Sequence, residues 1–157
     1  MKIELAKIED APAILALQKL AYRSEAEIYN DFSIQPLTQT LEDLIGEFQT
    51  HTVYKALLEK DLVGSVRTHL NGNTCYVGKL IVHPGVQNRG IGSSLMVYIE
   101  KDNNRVRRFE LFTGHRSVRN LSLYSKLGYK EFKREKIDDS LQFVFMEKRI
   151  EKGRAER

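Results

Sequence analysis

Cysteine is nearly absent from this 157-residue chain. With Cys75 alone, no internal disulfide can form, which suits a reducing compartment, and a cytoplasmic location is expected. A lone cysteine is most often a small packed hydrophobe, and Cys75 is read that way. Long apolar runs are missing too. Charge-free stretches such as Gly90–Ile99 reach only about ten residues, too short to cross a bilayer, so no membrane partner is expected. Met1-Lys2-Ile3-Glu4 carries no apolar run behind a basic start, and no signal peptide is expected. The four histidines, His51, His69, His83 and His115, are scattered without carboxylate or cysteine partners at ligand spacing, so no metal is expected. No serine sits in a nucleophile elbow, which leaves a Ser-His-Asp hydrolase unsupported. Charge of one sign is not in large excess either. The net charge of +4 favours an anionic ligand but falls short of a nucleic-acid footprint, and no aromatics interleave with Arg105-Val106-Arg107-Arg108 as base stacking requires.

What remains is an ordinary globular mixture, 41% hydrophobic and 29% charged, long enough for one core. A single domain is read over residues 1–150, with a charged tail at 151–157. Lys2–Ala6 reads as a strand. Asp10 and Pro12 open a helix from Ala11 past Tyr22, and a second helix spans about Leu37–Phe48. Three strands follow, Val53–Glu59, Leu62–Leu70 and Thr74–Val82, with Asn71-Gly72 as a tight turn. A helix over Gly90–Asn103 repeats Ile91, Leu95 and Ile99 at helical spacing. Phe109–Phe112 is a strand, Ser117–Leu127 a helix closed by Gly128, and Tyr129–Ile137 and Leu141–Lys148 are the last strands. The order β-α-α-β-β-β-α-β-α-β-β places the chain in the α/β class with a mixed sheet.

The richest segment runs from Leu80-Ile81-Val82 through His83-Pro84-Gly85-Val86 into Gln87-Asn88-Arg89-Gly90-Ile91-Gly92-Ser93. A buried strand enters a glycine-containing loop that opens directly into an amphipathic helix. Unpaired N–H groups and the positive end of the helix dipole make such a turn an anion cradle. Gly90 and Gly92 let a phosphate approach the backbone, and Arg89 adds a positive charge. The loop lacks both the Gly-Lys-Ser/Thr ending of a P-loop and the three glycines of a dinucleotide turn. Taken as a bare pattern, it fits a structural turn as well as a phosphate site.

Gln87–Gly92 resembles the Gln/Arg-x-x-Gly-x-Gly/Ala loop of the GNAT superfamily, whose members transfer an acetyl group from acetyl-CoA to an amine. The element order is similar as well, from Ile3 to about Ile150, and implies the family's mixed, largely antiparallel sheet flanked by helices. The resemblance implies that Gln87, Asn88, Arg89, Gly90, Ile91, Gly92 and Ser93 hold the pyrophosphate of acetyl-CoA. It likewise implies that Leu80, Ile81 and Val82 pair their backbone with the pantetheine arm. Ser117-Val118-Arg119-Asn120-Leu121-Ser122-Leu123-Tyr124-Ser125-Lys126-Leu127-Gly128-Tyr129 resembles the family's late Asn-x-x-Ala-x-x-x-Tyr-x-x-x-Gly-Phe/Tyr segment. Ser117, Asn120 and Tyr124 form one polar stripe at i, i+3 and i+7. Ser117 stands where the family has asparagine, and Asn120 where it has alanine; either can give the cofactor hydrogen bond, with Asn120 favoured. Lys126 is a candidate for a CoA phosphate.

The implied chemistry is direct attack of a neutral amine on the thioester. Deprotonating a lysine-like amine at pH 7 is a deficit of about 3.4 units, about 4.6 kcal/mol. A main-chain N–H near Val82 is the implied oxyanion donor, and Tyr124 the implied catalytic acid for the thiolate. The base is missing: where many members carry a strand glutamate, this chain has Gly78-Lys79. Glu4, His69, His115 or a water chain are the remaining candidates. The acceptor is expected to be a small-molecule amine, with Tyr22, Tyr29 and Phe32 as candidate pocket aromatics. Acetylation of a protein N-terminus or lysine, and a non-catalytic CoA-binding module, are the alternatives. Relatives often dimerise, and the apolar strand Leu141–Met146 is either an interface for a homodimer or an interior strand.

Overall fold

The computed structural model describes residues 1–151, so the expected tail lies, beyond Glu151, outside the described residues. Seven strands form one sheet in the order β1-β2-β3-β4-β5-β7-β6. They are β1 (Lys2–Leu5), β2 (Thr52–Leu58), β3 (Asp61–Asn71), β4 (Thr74–Val82), β5 (Arg108–Gly114), β6 (Lys130–Lys136) and β7 (Gln142–Arg149). All neighbours are antiparallel except β4 and β5. The sheet is thus mixed and largely antiparallel, with helices on both faces.

The helices are α1 (Ala11–Tyr29), α2 (Gln35–Thr38), α3 (Leu41–Glu47), α4 (Ile91–Asp102) and α5 (Val118–Lys126). On one face α4 buries Ile91, Leu95, Met96 and Ile99 against Val66, Val77, Phe109 and Val144, the expected i, i+4, i+8 stripe. Cys75 lies in this core, fully buried, and burial pushes its thiol up to about 12. On the other face Ala11 and Ile14 of α1 meet Leu44 of α3 and Val53 of β2.

Two features differ from the sequence reading. The helix at Leu37–Phe48 is two helices, because Thr40 leaves helical geometry to accept the Asp43 N–H at 3.1 Å and so caps α3. Asp10 occupies the N-cap position of α1 without capping it; its carboxylate accepts the Lys7 N–H at 2.8 Å and Lys55 Nζ at 2.9 Å. Helix α1 runs on to Tyr29, one turn and more past Tyr22, and ends at Asn30 in the left-handed conformation with φ 50°. The strand Leu141–Met146 proves interior, between β5 and β6, leaving β6 as the exposed edge.

Buried polar groups tie the two layers to the sheet. The Arg67 guanidinium, 1% exposed on β3, donates to Gln18 of α1, to Gln39 between α2 and α3, and to Glu47 of α3. Tyr54 of β2, fully buried, donates its hydroxyl to Asp102 at 2.6 Å at the end of α4. Burial first, and the Asp102 carboxylate next, push Tyr54 up to about 12 from the ordinary 10. The unfolded chain therefore ionises this phenol before the folded one does. Stability present below pH 10 is expected to fall by about 2 kcal/mol from this group as pH rises from 10 to 12. Urea denaturation across that range checks it: Tyr54→Phe should make the alkaline fall shallower.

Candidate functional site

Strands β4 and β5 pair for three residues only, Thr74–Tyr76 with Arg108–Glu110. Beyond Tyr76 the β5-facing edge of β4 has no strand partner among the described residues. A bulge adds to the divergence. Arg67 pairs with Gly78 and Ser65 with Ile81, so Lys79 and Leu80 share one position opposite, and Lys79 takes φ 53°. The His83 N–H donates to Val63 on β3 at 2.8 Å. By strand alternation, the Val82 N–H then faces the open edge.

Two cavities occupy the gap. One, about 900 Å³, lies between the end of β4, the start of α4 and one face of α5. Leu80, Ile81, Val82, Gln87, Asn88, Gly90, Ile91, Gly92 and Ser93 line it, as do Ser117, Asn120 and Lys126. Arg89 is exposed and is not among its lining residues; Arg119, whose guanidinium donates to Gln87 Oε1, and Lys126 bring the positive charge instead. The first helical bond of α4 runs from the Ser94 N–H to the Gly90 carbonyl at 2.9 Å, and no side chain caps the helix. The N–H groups of Ile91, Gly92 and Ser93 are left for another acceptor. Gly90 makes this entry possible at φ 79°, a conformation that strains other residues.

The other cavity, about 720 Å³, lies between α1–α2 and the sheet, over β3, β4, β5 and β7. Tyr22 and Tyr29 line it; Phe32, 56% exposed, does not. Tyr124, 6% exposed, lines this cavity, and its hydroxyl has no hydrogen-bond partner among the described residues. Burial, then the Tyr22 hydroxyl and the Glu25 carboxylate nearby, hold Tyr124 above the ordinary phenol range. The two cavities share Tyr22, Glu25, Leu80, Ser117 and Asn120, which mark where they meet.

Sequence reasoning missed Glu25. Its Oε2 accepts the Ser117 hydroxyl at 2.7 Å and its Oε1 accepts Asn120 Nδ2 at 3.0 Å. The Ser117 oxygen in turn takes the Tyr29 hydroxyl at 2.8 Å, and the Tyr29 oxygen accepts the Arg116 N–H at 3.0 Å. Ser117 and Asn120 thus hold a carboxylate at the junction. A signal was present: Gln18, Tyr22, Glu25 and Tyr29 repeat at spacings of four, three and four on one face of α1. Of the other base candidates, Glu4 and His115 are engaged elsewhere, and His69 faces the smaller cavity. Glu4 lies within ion-pair distance of Lys2 and Lys55. His115 Nδ1 accepts the Gln142 N–H at 2.9 Å. His69 lines the 720 Å³ cavity, its ring 5.5 Å from His51 and 5.7 Å from Tyr76, centre to centre.

Residues 19–150 match the family model described as Acetyltransferase (GNAT) domain. The UPF0157 protein YqkA of Bacillus subtilis (strain 168) is 26% identical over 121 residues, 77% of this chain and 35% of that protein. The chain therefore spans about a third of the length of this curated relative. Among solved structures, the PaiA N-acetyltransferase of Thermoplasma acidophilum, in complex with coenzyme A, superposes with TM-score 0.78 at 20% identity, over 96% of this chain and 100% of that one. The ribosomal-protein-alanine N-acetyltransferase of Brucella melitensis gives 0.77 at 19% identity, with the same coverage of both chains. At such identities these structures bear on fold alone.

The network at the junction depends on Gly114. A Cβ there would overlap the Tyr29 hydroxyl and lie 2.5 Å from Tyr29 Cζ and 3.1 Å from Ser117 Oγ. Gly114→Ala is expected to cost about 1–3 kcal/mol in urea denaturation. Adding Tyr29→Phe, which removes the overlapping oxygen, should recover part of that loss rather than add to it.

Proposed function

The chain belongs to the GNAT acetyltransferase family, and on that premise we propose that it moves the acetyl group of acetyl-CoA onto a primary amine of a small molecule. The observation that carries this reading is the meeting of two cavities at the open edge of β4. The larger one fits a nucleotide-bearing donor. Its uncapped helix start offers three N–H groups to an anion, Arg119 and Lys126 add charge, and the free edge of β4 suits an extended amide-containing arm. Acetyl-CoA supplies an activated acyl carbon and a thiolate leaving group. The smaller cavity, about 720 Å³, is within the range of small-molecule pockets and supports a compact acceptor.

The residues divide the work by position. The main-chain N–H of Val82 faces the open edge and suits the developing oxyanion. The Tyr124 hydroxyl, free of hydrogen-bond partners among the described residues and held protonated by its burial, suits proton donation to the departing sulfur. Leu80 lines both cavities and stands between the acyl carbon's approach and the acceptor's.

Calorimetric titration with acetyl-CoA, with a screen of small amines and N-terminal peptides for release of CoA thiol, tests the reading. Micromolar binding and thiol release driven by small amines are the expected results. Release by peptides alone would transfer the proposal to a protein acceptor, and absence of binding would end it. Tyr124→Phe is expected to lower kcat by about 10²–10⁴-fold while acetyl-CoA affinity stays within a few-fold. Unchanged turnover in that variant would remove Tyr124 from the acid role.

A further inference from the structure

We infer that Glu25, reaching from α1 to the junction of the two cavities, is the proton acceptor for the incoming amine, in place of the glutamate that β4 lacks. The inference rests on the transferase reading above and names a catalytic residue within it. Four observations carry it.

Glu25 is among the few residues that line both cavities, where an acceptor nitrogen and an acyl carbon would meet. Its carboxylate is half-buried, yet no lysine or arginine among the described residues lies within ion-pair distance of it. A carboxylate taken partly out of water without a cation is costly, and an ammonium group entering the cavity offsets that cost. Its hydrogen bonds leave capacity over: Ser117 Oγ and Asn120 Nδ2 occupy one site on each oxygen, and an ionised carboxylate offers about four. Those two bonds also fix its direction, since both donors belong to α5 or its entry and are braced by Tyr29 and Thr113. The remaining acidic groups around the acceptor cavity are occupied. Glu47 pairs with Arg67, and Asp31 and Asp138 accept the N–H and hydroxyl groups of Ser33 and Ser140 within their own loops.

The proton inventory closes with these groups. The ammonium gives one proton to Glu25, and the freed lone pair forms the N–C bond. The C–S bond breaks with its electron pair on sulfur, which takes the Tyr124 proton. A second proton from nitrogen returns to the Tyr124 phenolate, the third stays on the amide nitrogen, and Glu25 releases its own to solvent. One ammonium and one thioester become one amide, one thiol and one proton.

Glu25→Gln tests the assignment, because the near-isosteric amide keeps the Asn120 bond on its oxygen, meets Ser117 Oγ only by donating to it, and loses the basic site. We expect kcat/KM at pH 7 to fall at least 100-fold with acetyl-CoA affinity within threefold. The deficit should shrink as pH rises toward the pKa of the amine, which then arrives deprotonated without help. Glu25→Asp, which keeps the charge but withdraws it by one methylene, should recover part of the rate, and it serves as the test if Glu25→Gln does not fold. Near-wild-type turnover in Glu25→Gln overturns the assignment, as does a loss constant across pH and accompanied by weakened acetyl-CoA binding. Failure of the wild-type chain to bind acetyl-CoA or release thiol with any amine is a different result, and overturns the transferase reading itself.

Discussion

Everything distinctive about this site follows from the brevity of one strand pairing. Parallel strands β4 and β5 bond over three residues and then separate, which leaves the far half of β4 with an unpaired backbone edge in the middle of the sheet. An unpaired interior edge is costly unless something else supplies its hydrogen bonds. Here water or a ligand can reach it, because the 900 Å³ and 720 Å³ cavities fill the space that β5 vacates. The bulge at Lys79-Leu80 belongs to the same geometry. It falls just before the strand delivers the chain to the start of α4, and the open edge and the free N–H groups of Ile91, Gly92 and Ser93 border one cavity.

The opposite side of the gap is built from polar side chains that α1 aims at the sheet. Gln18 meets Arg67, and Tyr29 and Glu25 meet Ser117. Buried polar groups are tolerated only when partnered, and most of these are. An exception is Arg67 Nε, which is buried without a hydrogen-bond partner among the described residues. The packing around Gly114 shows how closely the network is drawn, since even a methyl group there would overlap Tyr29. Such a network fixes orientation more than it adds stability, and orientation is what a carboxylate at a junction of two cavities requires.

Much of this was legible in the sequence where local rules dominate. Strand β4 came out at Thr74–Val82, because an apolar run stopped by His83-Pro84-Gly85 has few alternative readings. Helix α4 was legible from the spacing of Ile91, Leu95 and Ile99, and the stripe of Ser117, Asn120 and Tyr124 was visible before its partners were known. The end of α1 was not. Ser24–Pro36 mixes polar and aromatic residues, and its helical face is apolar only at Ala26; what buries that face is hydrogen bonding to α5 some ninety positions away. Thr40 likewise broke a helix that hydrophobic spacing alone would continue, through a single capping bond. The periodicity there is a polar one, the row Gln18, Tyr22, Glu25 and Tyr29, which apolar spacing passes over, and so the sequence placed no end on the helix beyond Tyr22.

Two departures from the family pattern, read separately, look like losses: Gly78-Lys79 in place of a strand glutamate, and serine in place of the asparagine seven residues before Tyr124. The geometry links them. A serine at 117 places a small hydroxyl that accepts from Tyr29 and donates to Glu25 at once. Asn120, one turn on, then reaches the other carboxylate oxygen at 3.0 Å. Under the role proposed for Glu25, β4 need not supply a carboxylate; Gly78 sits opposite Arg67, and Lys79, at the bulge, lines the 720 Å³ cavity. Under that proposed role, the departures at 78–79 and at 117–120 belong together, the acidic group being delivered by α1 rather than by β4.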